Sequence, residues 1–263
     1  MKLDFHLDAY KLYLELIKTN YKIIKFEDYF SKNSIPKNFC IIRHDVDRKP
    51  DFALEMANIE KKMGINSTYY FRFKNHTFKP KIIKNIHLLG HEIGYHYECM
   101  SDMNGDIDKA VKNFKRNLEE FRKIVPVRTI SMHGRPFKKF DNRDMWRNKT
   151  NKSILKNDFG ILGEVYLDIS YDDIAYINDT GRNWLSNKSN LRDKIESNIN
   201  SDFNNKTELI NALKIKKFEK IIFQIHPERW ANNIFSWLAQ FSKDLIINML
   251  KKILLLRHGD INV

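Results

Sequence analysis

The sequence predicts an α/β fold in which about seven parallel strands form one distorted barrel. Three observations lead to this prediction. Short apolar runs that suit strands alternate with longer segments whose apolar residues recur at helical spacing. About seven such strand signals occur, and strands joined through helices imply right-handed crossovers and a parallel sheet. No repeat or linker divides the 263 residues, so we expect a single domain over residues 1–263.

The first half of the chain supplies four strand candidates. Residues 10–18 carry a helical pattern, and the apolar run over residues 39–42 has the composition of a buried parallel strand. Later strands are expected where apolar, aromatic or β-branched residues lie between helices that end at Gly or Pro. These strand candidates are residues 67–73, 91–97 and 127–132, and the helices between them are residues 50–63, 80–89 and 106–125.

The second half alternates in the same way but contains two polar segments. These segments, residues 141–157 and 183–205, are predicted as loop with some helix and as an insertion. The remaining strand candidates are residues 160–169, 174–177 and 220–225, and the helices are residues 207–218 and 234–255. We expect the last, amphipathic helix to pack on the barrel, with docking of a partner or a membrane as the alternative.

Charge and composition restrict the partners. The net charge of +13 favours an anionic partner, yet no motif for RNA or DNA accompanies it, so nucleic acid is not expected. Cys40 and Cys99 lack a metal-type spacing and are expected to be free, buried thiols in a reducing compartment. The chain shows no signal-peptide pattern and no apolar run of membrane-spanning length, so we predict a cytoplasmic protein without stable membrane insertion.

Polar residues stand where several of the predicted strands end. In parallel α/β folds such residues meet at one edge of the sheet and form the site. His and carboxylate side chains converging there suit a hydrolytic Zn²⁺-like ion, which uses three protein ligands and one open position. Asp45 and Asp47 are two residues apart and would face the same side of a strand. The other candidates are His96, Glu98, His133, Arg135, Asp179, Arg182 and His226.

Five segments, in order, resemble the motifs of the NodB-homology polysaccharide deacetylases, carbohydrate esterase family four. The second segment, residues 90–96, is the most specific of them. The segments are His44-Asp45-Val46-Asp47, Gly90-His91-Glu92-Ile93-Gly94-Tyr95-His96, Ser131-Met132-His133-Gly134-Arg135-Pro136, Asp179-Thr180-Gly181-Arg182-Asn183-Trp184 and Phe223-Gln224-Ile225-His226-Pro227. The resemblance implies a NodB-like distorted (β/α) barrel with a motif core over residues 39–230.

The resemblance also implies roles for these residues. Asp45 would be the base and Asp47 a metal ligand, with His96 as a second ligand. Arg135 would contact the base, and His226 would assist the leaving group. Glu98, Asp179, Arg182 and Trp184 are expected to contact substrate, Trp184 as a stacking platform for a sugar.

One position departs from the family pattern. A second metal histidine would come four residues after His96, but Met100 stands there, and a thioether is a poor ligand for a hard hydrolytic ion. The third ligand must then come from elsewhere. His133 is the first choice because it ends the adjacent strand candidate, Glu98 is the second, and His91 is disfavoured because it begins its strand.

Three functions follow as hypotheses. The first is a Zn²⁺-dependent deacetylase of an N-acetylated amino sugar. Its carbohydrate substrate could be anionic, such as a phosphate-linked glycan precursor. The second is the same machinery aimed at another non-peptide C–N bond, such as a cyclic amide. The third is a degenerate protein that binds carbohydrate without catalysis, a hypothesis motivated by Met100.

Overall fold

The computed structural model describes residues 3–31, 34–135, 138–185 and 195–243. A sheet whose ladders are all parallel lies at its centre. Its strands are β1 (Lys22–Ile23), β2 (Phe39–Val46), β3 (Thr68–Phe71), β4 (Glu92–Tyr97), β5 (Thr129–Met132), β6 (Gly163–Glu164), β7 (Ala175–Asn178) and β8 (Lys220–Ile225).

The strand order is β6-β5-β4-β3-β2-β8-β7, and β1 pairs with the start of β2. The sheet curls into an incomplete barrel, so the predicted α/β barrel of parallel strands is confirmed. β2 is central because it pairs with β1, β3 and β8. Its eight residues are all buried, as expected for a parallel strand covered on both faces.

Helices connect the strands and cover the outside of the sheet. α6 shows how the sequence sets a boundary, because the side chain of its N-cap residue Asp106 accepts a hydrogen bond from the Lys109 amide. The helices are α1 (Leu7–Asn20), α2 (Phe26–Ser31), α3 (Pro50–Lys62), α4 (Pro80–Leu88), α5 (Cys99–Asp102), α6 (Ile107–Arg122), α7 (Asp144–Arg147), α8 (Lys149–Ser153) and α9 (Lys206–Lys214). A π-helical turn (Ile154–Asp158) follows α8, and a 3₁₀ turn (Pro227–Arg229) follows β8.

One predicted strand is much shorter in the structure. Only Gly163 and Glu164 of the predicted strand 160–169 form a ladder, because the next residues turn around the Glu164 carboxylate. That carboxylate accepts hydrogen bonds from the amides of Tyr166 and Leu167 at 2.7 and 2.8 Å. The predicted helix 234–255 is helical over residues 234–243, and residues 244–255 lie outside the described part of the chain.

The two faces of β2 belong to different parts of the core. Ile41 packs toward the barrel interior with residues of β3, β7 and β8. Cys40 and Ile42 point the other way and pack beneath α1. Both Cys40 and Cys99 are buried free thiols, as predicted. None of the helices in the described ranges has the length and apolar character needed to cross a bilayer.

Gly94 in β4 makes room for a neighbouring ring. A Cβ atom at this position would lie 2.2 Å from Cε1 of Tyr70. The Tyr70 hydroxyl lies 2.9 Å from Oγ1 of Thr129, which holds the ring in place across the barrel interior. The glycine of the second motif therefore lets the Tyr70 ring of β3 lie against the backbone of β4.

Candidate metal centre

The predicted site residues gather where the central strands end. Asp45 lies in β2, and Asp47 is the first residue after this strand. His96 lies in β4, and His133 and His226 are the first residues after β5 and β8. These strands are close neighbours in the sheet, since only β3 separates β4 from β2. Parallel strands bring their carboxyl ends to one edge, so side chains from distant parts of the chain converge there.

Asp47, His96 and His133 form a compact group of possible metal ligands. One ligand atom from each residue lies within 4.8 Å of the other two. The Nε2 atoms of His96 and His133 lie 3.5 and 3.3 Å from Oδ1 of Asp47. Ligands about 2.1 Å from a tetrahedral ion are about 3.4 Å apart, so these separations match three ligands of one ion.

A buried oxygen supports the fit of a cation. Oδ1 of Asp47 is closed to solvent and has no hydrogen-bond partner among the described residues. Such an atom costs free energy unless a cation or a water molecule satisfies it. Two imidazole nitrogens and a carboxylate oxygen are also a donor set that divalent transition metals accept. The residues present therefore fit a divalent metal ion.

His96 is held in the tautomer that a metal ligand needs. Its Nδ1 atom lies 3.0 Å from the carbonyl oxygen of Ser131, which accepts the ring proton. Nε2 then presents its lone pair toward Asp45 and Asp47. Burial lowers the pKa of His96 to about 4, although the two aspartates oppose this shift, so the ring is neutral at pH 7.

Glu98 lies behind His133, on the side of the ring opposite Asp47. Its Oε2 atom lies 3.3 Å from Nδ1 of His133, and Arg72 donates to both Glu98 oxygens at 2.9 and 3.0 Å. Without a metal ion, burial lowers the pKa of His133, but Asp47 and Glu98 raise it more strongly, to about 9. An ion bound at Nε2 would therefore have to displace a proton. Glu98 was predicted to contact substrate; in the structure it orients a possible metal ligand instead.

Arg43 supplies the cation that Asp45 requires. Its Nε and Nη2 atoms donate to Oδ1 and Oδ2 of Asp45 at 2.8 and 2.7 Å, and Gln224 donates to Oδ2 at 2.7 Å. Burial raises the pKa of Asp45, but the Arg43 charge lowers it by more, so the net pKa is below the ordinary value and the carboxylate stays ionised. Arg43 was missed in the sequence, although residues two apart on a strand share a face.

The predicted role of Arg135 is corrected by this geometry. Its Nη1 atom lies 3.2 Å from Oε2 of Glu98 and donates to Oδ1 of Asp102 at 3.0 Å. Arg135 therefore supports the Glu98 carboxylate behind His133, and the contact with Asp45 that was expected of it is made by Arg43. Pro136, the last residue of the third motif, lies outside the described part of the chain.

Asp179 positions His226. Its Oδ1 atom lies 2.6 Å from Nδ1 of His226, and its Oδ2 atom accepts from the His226 amide and from Nε1 of Trp230 at 2.9 and 2.8 Å. Burial lowers the pKa of His226, but the Asp179 charge outweighs it and raises this pKa to about 9. Asp179 is fully buried, so its predicted substrate contact is corrected to a contact with His226.

Arg182 and Trp184 turn away from the site. Arg182 adopts a left-handed backbone conformation, with φ of 57°, and its amide closes a turn onto the Asp179 carbonyl. The Arg182 guanidinium lies 4.5 Å from the ring centroid of Trp237. Trp184 is buried and donates from Nε1 to Asp4 at 2.8 Å. Both residues pack against the two ends of the described chain, and the substrate contacts predicted for them stay predictions.

Neither Met100 nor His91 joins the metal group. Met100 is buried in α5 within an apolar cluster that includes Phe114. Nε2 of His91 lies 3.1 Å from the Ala57 carbonyl, and its Nδ1 accepts from the Ser67 amide at 3.1 Å. Of the three alternatives for a third ligand, His133 is the one that the structure groups with Asp47 and His96.

Glu228 is a further site residue that the sequence reasoning missed. It lies in the 3₁₀ turn two residues after His226, and Lys49 donates to its carbonyl oxygen at 3.3 Å. The side chain is 8% exposed, and its Oε2 atom has no hydrogen-bond partner among the described residues. Burial and the nearby Asp47 charge raise the pKa of Glu228 to about 7. Proximity to His226 in the chain was the available signal.

Comparison with known proteins identified similar solved structures. No protein-family model and no curated protein matches the chain. A family 4 carbohydrate esterase from Bacillus anthracis is similar with a TM-score of 0.41 and 13% identity, over 80% of this chain and 89% of that one. A CE4 family pseudoenzyme from the same organism gives a TM-score of 0.43 and 14% identity, over 81% of this chain.

This chain spans 60% of the length of that pseudoenzyme. It spans 63% of a mutant CE4 family pseudoenzyme with restored enzymatic activity, to which it is similar with a TM-score of 0.42 and 12% identity over 81% of its own residues. Similarity at this level leaves function to be inferred from the site itself. In fold, the chain is similar to family 4 carbohydrate esterases, the polysaccharide deacetylase family whose motifs its sequence resembles.

Proposed function

We propose that this protein is a metal-dependent hydrolase that removes the acetyl group from an N-acetylated amino sugar. One observation carries the proposal: a group of three possible ligands lies beside an ionised aspartate, and a protonated histidine ends a nearby strand. Asp47, His96 and His133 would hold the ion, for which Zn²⁺ is the best match to the donor set. When bound, such an ion makes water more acidic and stabilises negative charge on a carbonyl oxygen.

Asp45 would act as the general base. Arg43 and Gln224 fix its carboxylate through three hydrogen bonds, and a single one of these reaches Oδ1. Oδ1 therefore keeps capacity to accept the proton of the attacking water. The Arg43 charge keeps the carboxylate ionised before the reaction, which a base requires.

His226 would act as the general acid. Its Nδ1 proton is committed to Asp179, so Nε2 is the atom that would donate to the departing amine. The overall reaction adds water across the amide bond and yields acetate and the free amine of the sugar.

The net charge of +13 supports an anionic or phosphate-linked carbohydrate as substrate. The cytoplasmic location and the single domain over residues 1–263 stay predictions.

Metal analysis paired with acetate release tests the proposal. The purified chain is expected to bind close to one Zn²⁺ ion and to release acetate from N-acetylhexosamines, free or nucleotide-linked, but not to open cyclic amides. Asp47→Ala should lose both the metal and the activity, whereas Asp158→Ala, an exposed control, should keep both. Failure of the wild-type protein to bind metal would refute the proposal of a metal-dependent enzyme. Ring opening without acetate release would favour the amidase alternative.

A further inference from the structure

Exposed apolar side chains are concentrated in the helical segment formed by residues 234–243. Across the described ranges, eight large apolar side chains are exposed, and four of them lie in this segment of ten residues. Phe235 is the most exposed of all, at 81%. The four are Ile234, Phe235, Leu238 and Phe241.

These four side chains share one face of the segment. At about 100° per residue, positions i, i+1, i+4 and i+7 cover an arc of roughly 120°. The opposite face is attached to the protein. Nε1 of Trp237 donates to the Asp4 carbonyl at 2.7 Å, and the buried side chain of Gln240 accepts from Lys49 at 3.4 Å. The segment is thus fixed along one side, and its apolar side faces outward.

The attachment also places the segment close to the site. Lys49, which reaches Gln240, follows Asp47 by two residues and donates to the carbonyl of Glu228. Whatever covers the apolar face would therefore lie near the edge of the sheet where the metal ligands converge.

Charge and sequence indicate what kind of surface covers this face. The residues that follow, Asp244-Leu245-Ile246-Ile247-Asn248-Met249-Leu250-Lys251-Lys252-Ile253-Leu254-Leu255-Leu256-Arg257, combine many apolar residues with Lys and Arg. Aromatic and aliphatic residues on one face, with Lys and Arg nearby, are typical of segments that lie in the interface of an anionic membrane. The chain as a whole carries a charge of +13, which an anionic lipid surface attracts.

We infer that the face formed by Ile234, Phe235, Leu238 and Phe241 docks the protein on an anionic membrane surface. The segment lies on the membrane and does not cross it. Docking does not depend on the hydrolytic activity proposed above, but it would bring the site within reach of a carbohydrate attached to a lipid.

Vesicle flotation with the full-length protein tests this inference. The probes are vesicles of phosphatidylcholine alone and vesicles in which one third of the lipid is phosphatidylglycerol. The wild-type protein should float with the anionic vesicles, more weakly with the neutral ones, and less as salt is raised. The double variant Phe235→Ser and Leu238→Ser should bind the anionic vesicles about tenfold more weakly or worse.

The matched control replaces two large apolar side chains elsewhere on the surface that are also at least half exposed. Leu88 and Ile215 are 70% and 73% exposed, so the variant Leu88→Ser and Ile215→Ser should bind vesicles like the wild-type protein. Equal flotation of the wild-type protein and the 235/238 double variant would overturn the inference, as would no flotation of the wild-type protein. A dimer in sedimentation velocity that the double variant abolishes would assign the face to a second copy of the chain and also overturn it.

Acetate release from a water-soluble substrate separates docking from catalysis. The Phe235→Ser and Leu238→Ser variant should retain wild-type activity on such a substrate, because neither side chain belongs to the site. A wild-type protein that floats with anionic vesicles but releases no acetate would refute the proposed function and leave docking intact.

Discussion

The two faces of β2 carry buried ionisable clusters that differ in what they leave open. On the face toward the barrel interior, Arg43 holds Asp45, and the adjacent Asp47 has a buried oxygen without a hydrogen-bond partner in the described residues. On the opposite face, Nε2 of His44 lies 2.6 Å from Oε1 of Glu60. One strand therefore supports two clusters of similar composition and different completeness.

The cluster around Glu60 satisfies its carboxylate fully. Tyr10 and His44 bond to Oε1, and Tyr69 donates to Oε2 at 2.7 Å. His91 lies 3.5 Å from Oε2. These side chains come from α1, α3, β2 and β3 and from the residue before β4, so the cluster joins two helices to the sheet.

The difference separates a structural role from a functional one. Buried charges are tolerated where partners satisfy them, and the Glu60 carboxylate meets that condition from within the protein. At the site on the other face, one carboxylate oxygen each of Asp47 and Glu228 is buried without a hydrogen-bond partner among the described residues. A carboxylate oxygen without a hydrogen-bond partner, more than the presence of His and Asp, distinguishes the face that we propose to bind a ligand.

Removing Glu60 should give the largest effect on stability. Glu60→Ala should lower the free energy of unfolding by about 3–5 kcal/mol, because His44 and two tyrosine hydroxyls would remain buried without their acceptor. Urea titration measures this, with Glu119→Ala on the exposed side of α6 as the control. A loss below about 1 kcal/mol would show that the cluster contributes little.

The pKa of Glu60 gives the same prediction a pH dependence. Burial raises this pKa, but His44, His91 and Tyr10 lower it to about 2. The contribution of Glu60 is therefore complete above its ordinary pKa of about 4.5 and is lost as the pH falls through about 2. The difference in unfolding free energy between wild type and Glu60→Ala should shrink over that range.

A change at Glu98 tests the candidate metal centre, on the other face of β2. Glu98→Gln should weaken Zn²⁺ binding by about 10–100-fold, because the carboxylate orients His133 and makes it a better ligand. Competition with a chromogenic chelator gives the affinity. Asp102→Asn is the control. Asp102 pairs with Lys74 and Arg135, as Glu98 does, but the contact with His133 is made by Glu98. Equal affinities for the two variants would contradict the positioning role.

Asp179 should change the pH profile more than the maximal rate. The pKa of His226 is raised to about 9 by Asp179, so the protonated acid is lost as the pH rises through that value. In Asp179→Asn the pKa should fall back toward the ordinary value of about 6.5, and the rate at pH 8 should drop on the order of tenfold. Asp173→Asn, at the opposite edge of the sheet, should keep the wild-type profile.

The sequence reasoning succeeded where one physical rule sufficed. Strand ends at a shared sheet edge placed Asp47, His96 and His133 together, and apolar periodicity located most helices and strands. The prediction was wrong where apolar residues are buried without forming a strand. Residues 160–169 are an example, since Ile161, Val165 and Ile169 are buried although only Gly163 and Glu164 form a strand. Trp184 illustrates the same limit, since the pattern does not distinguish a stacking platform from a core residue.

Roles that depend on a third residue were also beyond the pattern. Glu98, Arg135 and Asp179 all lie at the site, but each acts on another side chain, and such an arrangement requires knowledge of side-chain packing. Arg43 was within reach, because the period of a strand places it beside Asp45.

The replacement of a nearby histidine by Met100 has a thermodynamic consequence. Two histidines four residues apart can chelate metal in a disordered chain, whereas the proposed ligands Asp47, His96 and His133 come from three separate strand ends. The unfolded protein should then have little affinity for the ion. A ligand that binds only the folded state adds about 1.4 kcal/mol to the free energy of unfolding for each tenfold increase above its dissociation constant. We expect free Zn²⁺ to follow this relation.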